Sequence, residues 1–103
     1  MTRRVAKKIW LAGLLLAFSA LAGAHPGHEF HVEGTVTKVR AQQFEVDEGR
    51  LGTTVFVLVP GTEIFMGDAR ASVSDIVVGR QAEVDGVENE RGQVEAKKVK
   101  LTR

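Results

Sequence analysis

No cysteine occurs in the 103 residues, so no disulfide can staple the chain. Proline appears twice and histidine three times, and the single tryptophan, Trp10, lies near the amino terminus. No apolar run reaches the ~20 residues of a membrane-spanning helix; the longest extends from about Ile9 to Leu21. A window of eleven or more residues at helical period is also missing after Phe30. A phosphate-cradling G-x-x-x-x-G-K-[ST] loop is absent, and beyond residue 24 only Ser72 and Ser74 offer a serine hydroxyl. No histidine outside the first third of the chain stands ready as their base. These absences argue against an enzyme.

What is present begins with a secretory signal peptide: Arg3, Arg4, Lys7 and Lys8, the apolar run, then Ala22-Gly23-Ala24. Cleavage is expected after Ala24, or after Ala22, where Ala20-Leu21-Ala22 also satisfies the small-residue rule. The alternative is an uncleaved anchor. Ala6 and Lys7 stand where a twin-arginine signal carries bulky apolar residues, which favours the general secretion route. Alanine at position 24 gives no cysteine for lipid attachment. The product is expected to be periplasmic or secreted, with no membrane attachment after cleavage.

Residues 1–24 hold four of the fourteen basic residues and none of the thirteen acidic ones. The remaining 79 residues therefore carry ten basic against thirteen acidic side chains, a net charge of −3 with histidine neutral. That balance gives no footprint for nucleic acid and favours cations as partners. At this length the chain makes one small domain held by packing alone.

The organisation expected is residues 1–24 signal peptide, 25–29 flexible histidine-containing tail, and 30–103 an all-β domain. In FHVEGTVTKVR, Phe30, Val32 and Val36 share the inward face, and Gly34 interrupts it where a bent strand needs a missing side chain. QQFEVDE places Phe44 and Val46 inward. TTVFVLV is apolar on both faces, which predicts a central strand ending at Pro60-Gly61, with Thr62 to Phe65 continuing it. Between Ala71 and Gly79 a short helical turn is expected, capped by Ser72 or Ser74, with Val73, Ile76 and Val77 facing the core. A final hairpin turns at Asn89-Glu90-Arg91-Gly92 and supplies Ala82, Val84, Val94, Ala96, Val99 and Leu101. The sum is a small five-stranded OB-like barrel with one short helical turn; an open meander or sandwich is the rival.

The stretches VEGTVTKV, QFEV, VPGTEIF, SVSDIVVGRQAEVDG and GQVEAKKVKL resemble the small exported bacterial domains grouped as domain of unknown function 5666. The resemblance covers nearly all of the chain after the signal and implies an OB-like barrel, with no activity attached. A more distant likeness is to the small periplasmic OB-fold copper chaperones. Their site uses histidine, methionines and a tryptophan on the barrel, whereas here Trp10 leaves with the signal and Met66 is the sole methionine beyond it.

The one constellation with chemistry is HPGHEFH, which contains His25, His28 and His31. A cut after Ala24 frees the His25 amine beside its imidazole, and His28 and His31 add nitrogen donors suited to copper, nickel or zinc. A cut after Ala22 instead exposes Gly23-Ala24-His25, a terminus that binds Cu(II) or Ni(II) through amine, amides and imidazole. Opposed to this is a plain polar tail, with His31 an ordinary outward strand residue. The carboxylates at Glu45, Asp47 and Glu48, and at Asp85, Glu88 and Glu90, read as solvated faces and turns; Val87 spoils a calcium loop over Asp85 to Gly92. The function expected is a non-enzymatic exported domain binding a transition metal through His25, His28 and His31. The alternative is an envelope module that binds an extracellular polymer or protein at exposed strand positions such as Thr35, Thr37 or Lys38. The sequence leaves the oligomeric state open.

Overall fold

A computed structural model describes residues 27–103. The expected signal peptide and His25 lie outside the described residues. Strands dominate: β1 (Glu29–Arg40), β2 (Gln43–Asp47), β3 (Thr53–Val57), β4 (Glu63–Met66), β5 (Ala69–Arg70), β6 (Gln81–Glu88) and β7 (Val94–Leu101). Two 3₁₀ turns, Gly49–Leu51 and Val73–Asp75, complete the regular structure. Among the described residues no helix is long and apolar enough to cross a membrane.

The strands form one sheet in the order β3-β2-β1-β6-β7-β4-β5, and an additional β3–β7 pairing closes the first five into a ring. The ring is the five-stranded OB-like barrel expected, not an open meander. β1 is long because it serves both halves: Glu29–Thr35 pair with β6, and Thr35–Arg40 pair with β2. The bend between them falls at Gly34, where a Cβ would lie 2.2 Å from the Asp47 carbonyl oxygen. Only a residue without a side chain lets β2 pass that close. A bulge at Thr37, between the pairs Val36↔Val46 and Lys38↔Glu45, adds to the curvature.

Thirteen buried side chains form the core, all of them apolar, with no buried charged or polar residue among them. Apart from Ile76, they are the inward alternates of the strands, including all six expected from the final hairpin. Phe44 and Phe56 face each other across β2 and β3 and stack with centroids 5.4 Å apart. Such a pair adds about 0.5–1.5 kcal/mol beyond the area it buries.

Two expectations need correction. The apolar run of β3 is buried on one face only: Phe56 is fully enclosed, whereas Val55 is 46% exposed. On its outer face Val57 is half-buried and Val55 lies largely in solvent, as alternation on a barrel wall requires. In the segment after β5, Ile76 is buried, but Val73 and Val77 remain 48% and 42% exposed. A three-residue 3₁₀ turn is too short to present a helical stripe, and the chain is already extended at Ile76 (φ −81, ψ 98). Asp75 secures the turn by accepting the Ser72 backbone N–H at 2.9 Å. β4 does continue the line of β3 along β7, after the break at Pro60-Gly61. It then folds back as an unexpected two-residue hairpin to β5 through Gly67-Asp68, with Gly67 at φ 62.

Candidate metal centre

Since Phe30 and Val32 point inward, the alternation of β1 turns His31 and Glu33 out to solvent. The antiparallel register with β6 sets Asp85 opposite His31 and Glu83 opposite Glu33. Four polar side chains thus share one patch of the outer wall. Two like charges, Glu33 and Glu83, stand directly across from one another, an arrangement that destabilises a sheet unless a cation intervenes.

The imidazole of His31 is that intervening group. Its Nδ1 lies 2.6 Å from Asp85 Oδ1, and its Nε2 lies 3.2 Å from both Glu33 Oε2 and Glu83 Oε2. Ionised carboxylates only accept, so both ring nitrogens act as donors when no other cation is present. The Asp85 hydrogen bond, followed by that of Glu33, holds the imidazole pKa above its usual 6.5. Desolvation opposes these two hydrogen bonds, and the charges of Asp85 and Glu83 add smaller effects in the raising direction.

A metal ion satisfies the same arrangement in another way. His31 Nε2 and one oxygen each of Glu33 and Glu83 all lie within 4.8 Å of one another. Ligand atoms held tetrahedrally at about 2.0–2.1 Å from an ion stand about 3.3–3.4 Å apart, close to the two nitrogen–oxygen separations found here. Asp85 then plays the supporting part common in such centres, fixing ring and tautomer through Nδ1 so that Nε2 is left as a ligand. The group is open to water, with the His31 side chain 52% exposed. One imidazole with carboxylates suits a borderline divalent ion such as zinc, nickel or Cu(II).

Of the histidines of HPGHEFH, His28 and His31 fall among the described residues, and they lie on opposite sides of the chain. His28 sits on the other side of the strand, its ring edge-on to Phe30 with centroids 4.9 Å apart. Its carbonyl accepts the Glu88 N–H at 2.8 Å, and Gly27 N–H donates to the Glu88 carbonyl at 2.9 Å, so sheet pairing reaches back to the start of the described residues. His25 lies outside them. Glu33, Glu83 and Asp85 escape a sequence reading that takes carboxylates as solvated faces and puts Asp85 among turn residues; Asp85 is in fact mid-strand in β6. The available signal was H-x-E on one outward face and E-x-D on another, which only the register aligns.

Of the positions that suit an interaction surface, Thr35 Oγ1 accepts Gln81 Nε2 at 2.8 Å and Thr37 Oγ1 donates to Glu45 Oε1 at 2.8 Å. Both hydroxyls are therefore engaged in tying neighbouring strands together. Lys38 faces solvent near the β1–β2 turn.

No curated protein and no solved structure matches the chain. A family model does match, over residues 33–100, and that span contains Glu33, Glu83 and Asp85 but not His31. The chain belongs to the family described as Domain of unknown function (DUF5666).

Proposed function

We propose that this is an exported, non-enzymatic domain that binds a transition-metal ion on the wall of its barrel. His31 Nε2, Glu33 and Glu83 are the ligands, and Asp85 holds the imidazole. The observation that carries this reading is the double engagement of His31: Nδ1 is fixed by Asp85 at 2.6 Å while Nε2 faces two opposed glutamates. His25 and His28 stand as additional donors from the tail. For His28 to share the ion of His31, its ring must leave the edge contact with Phe30 and cross to the other face. The only two serines beyond the expected signal lie on the 3₁₀ turn, with their Oγ atoms 2.8 Å apart, which supports a binding role over catalysis.

Calorimetric titration of the exported protein with Zn(II), Ni(II) and Cu(II) tests the proposal. One ion per chain is expected, with affinity falling at least about tenfold in His31→Ala and in Glu83→Gln. If His25→Ala and His28→Ala abolish binding while His31→Ala leaves it intact, the wall site is wrong and the tail alone is the chelator.

A further inference from the structure

The register places Glu33, Glu83 and Lys100 in one row across β1, β6 and β7, all on the outer face of the wall. A depression of about 570 Å³ lies along this row, bordered by those three side chains and kept open at Gly34 and Gly67, which add none. Lys100 has no hydrogen bond or ion pair among the described residues, where the lysine and arginine ion pairs are Lys97–Glu95 and Arg70–Glu63. The carboxylates around it are spent elsewhere. Glu83, directly opposite, is turned to His31 Nε2 at 3.2 Å, and Glu48 Oε2 accepts the Glu33 N–H at 3.4 Å. Lys98, opposite Asp85 in the next row, sits over the Phe65 ring at 5.6 Å and does not line the depression.

An ion held by His31 Nε2, Glu33 and Glu83 has three protein donors, so one tetrahedral position stays open, as in zinc centres that exchange their fourth ligand and unlike closed structural ones. The same divalent ion balances the two glutamate charges. The Lys100 ammonium is then an uncompensated cation one strand away, at a strand spacing of about 4.8 Å. The rest of the lining is already committed. Gly67 N–H donates to the Leu101 carbonyl and Thr102 N–H to the Gln81 carbonyl, both at 3.1 Å, while Gln81 Nε2 donates to Thr35 Oγ1 at 2.8 Å. An added peptide strand finds no free donor in these groups, and no aromatic ring lines the space to stack a base. Two separate cationic points, the open position of the ion and the ammonium, match an anion with two separate single charges. Carboxylates supply such charges, with oxygens that both zinc and an ammonium accept.

We propose that the metal-loaded site holds a small dicarboxylate, one carboxylate filling the open position of the ion and the other paired with the Lys100 ammonium. The assignment rests on the metal reading of the wall. Calorimetric titration of the exported protein with zinc, and then of the zinc-loaded protein with succinate, tests the two readings separately. Succinate is expected to bind one per chain, and the zinc-free protein is expected to bind it at least about tenfold more weakly. Acetate, with one charge, should also bind at least about tenfold more weakly than succinate. Lys100→Gln should weaken succinate binding about tenfold or more without lowering zinc affinity, Lys100→Arg should restore it, and Lys98→Gln should leave it within about twofold. Retained zinc affinity shows that each variant is folded. If zinc binds and succinate does not, the dicarboxylate assignment alone fails; if zinc does not bind, both readings fail. The assignment is also overturned if acetate or the zinc-free protein matches, if phosphate binds more tightly than succinate, or if Lys100→Gln has no effect.

Discussion

At the residue scale, His31 decides how the outer wall behaves. In the metal-free protein its pKa is raised by Asp85 and Glu33, so the folded state binds a proton more tightly than the unfolded chain does. The stabilisation is therefore fully present below the ordinary value of 6.5 and is lost as pH rises through the raised folded value. Urea unfolding of wild type and His31→Gln across this range should show a gap that closes on the alkaline side. A gap that widens there contradicts the assignment. Asp85→Asn removes the largest contribution to the raised pKa and the anchor of Nδ1. It should lower the imidazole pKa, followed by NMR, and weaken zinc binding roughly 10–100-fold. His31 was legible as a candidate ligand from HPGHEFH alone, whereas its partners were not. Glu33, Glu83 and Asp85 are single carboxylates until β1 and β6 pair, and residues fifty positions apart acquire a common face only through that register.

At the scale of elements, alternation was readable and its limits were set by tertiary packing. The inward rows of β1, β2, β6 and β7 follow the period of two in the sequence, since each of these strands has one face on the core and the other in water. β3 departs from its continuous apolar pattern because Val55 faces water on the outer wall, and the segment at Val73–Val77 departs from its apparent stripe because only Ile76 reaches the core. The contrast is measurable. Ile76→Ala should cost about 2–5 kcal/mol, whereas Val73→Ser and Val77→Ser should fall within about 0.5 kcal/mol of wild type in urea unfolding. Gly34 is the element-scale feature with the sharpest demand. A methyl group there meets the Asp47 carbonyl oxygen at 2.2 Å and its carbon at 2.8 Å. Backbone cannot swing aside as a flexible side chain does, so Gly34→Ala should cost at least about 1–3 kcal/mol and loosen the β1–β2 pairing in hydrogen exchange.

At the scale of the whole molecule, a domain without disulfides depends on closing its ring, and the closing contact between β3 and β7 is only two residue pairs long. Phe56 sits at that closure, in register with Val94 and stacked on Phe44. Total stability for a chain of this size is about 4–12 kcal/mol, so the roughly 3–5 kcal/mol expected for Phe56→Ala removes a large share of it. The proposed metal site bears on the same balance from the opposite side of the barrel wall. Its candidate ligands come from β1 and β6, strands joined only through a long stretch of intervening chain, so an ion bound there would link neighbours that the unfolded chain leaves far apart. Because the unfolded chain lacks the register that assembles the three ligands, binding translates almost wholly into stability. Zinc at a free concentration one hundred times its dissociation constant should add about 2.7 kcal/mol. For a domain this small that corresponds to a rise in Tm of about 10–20 °C, reversed by chelator. In Glu83→Gln the rise should shrink to that of a single histidine on the surface. If zinc instead stabilises wild type and Glu83→Gln equally, β6 contributes no ligand and the ion resides on β1 or the tail alone.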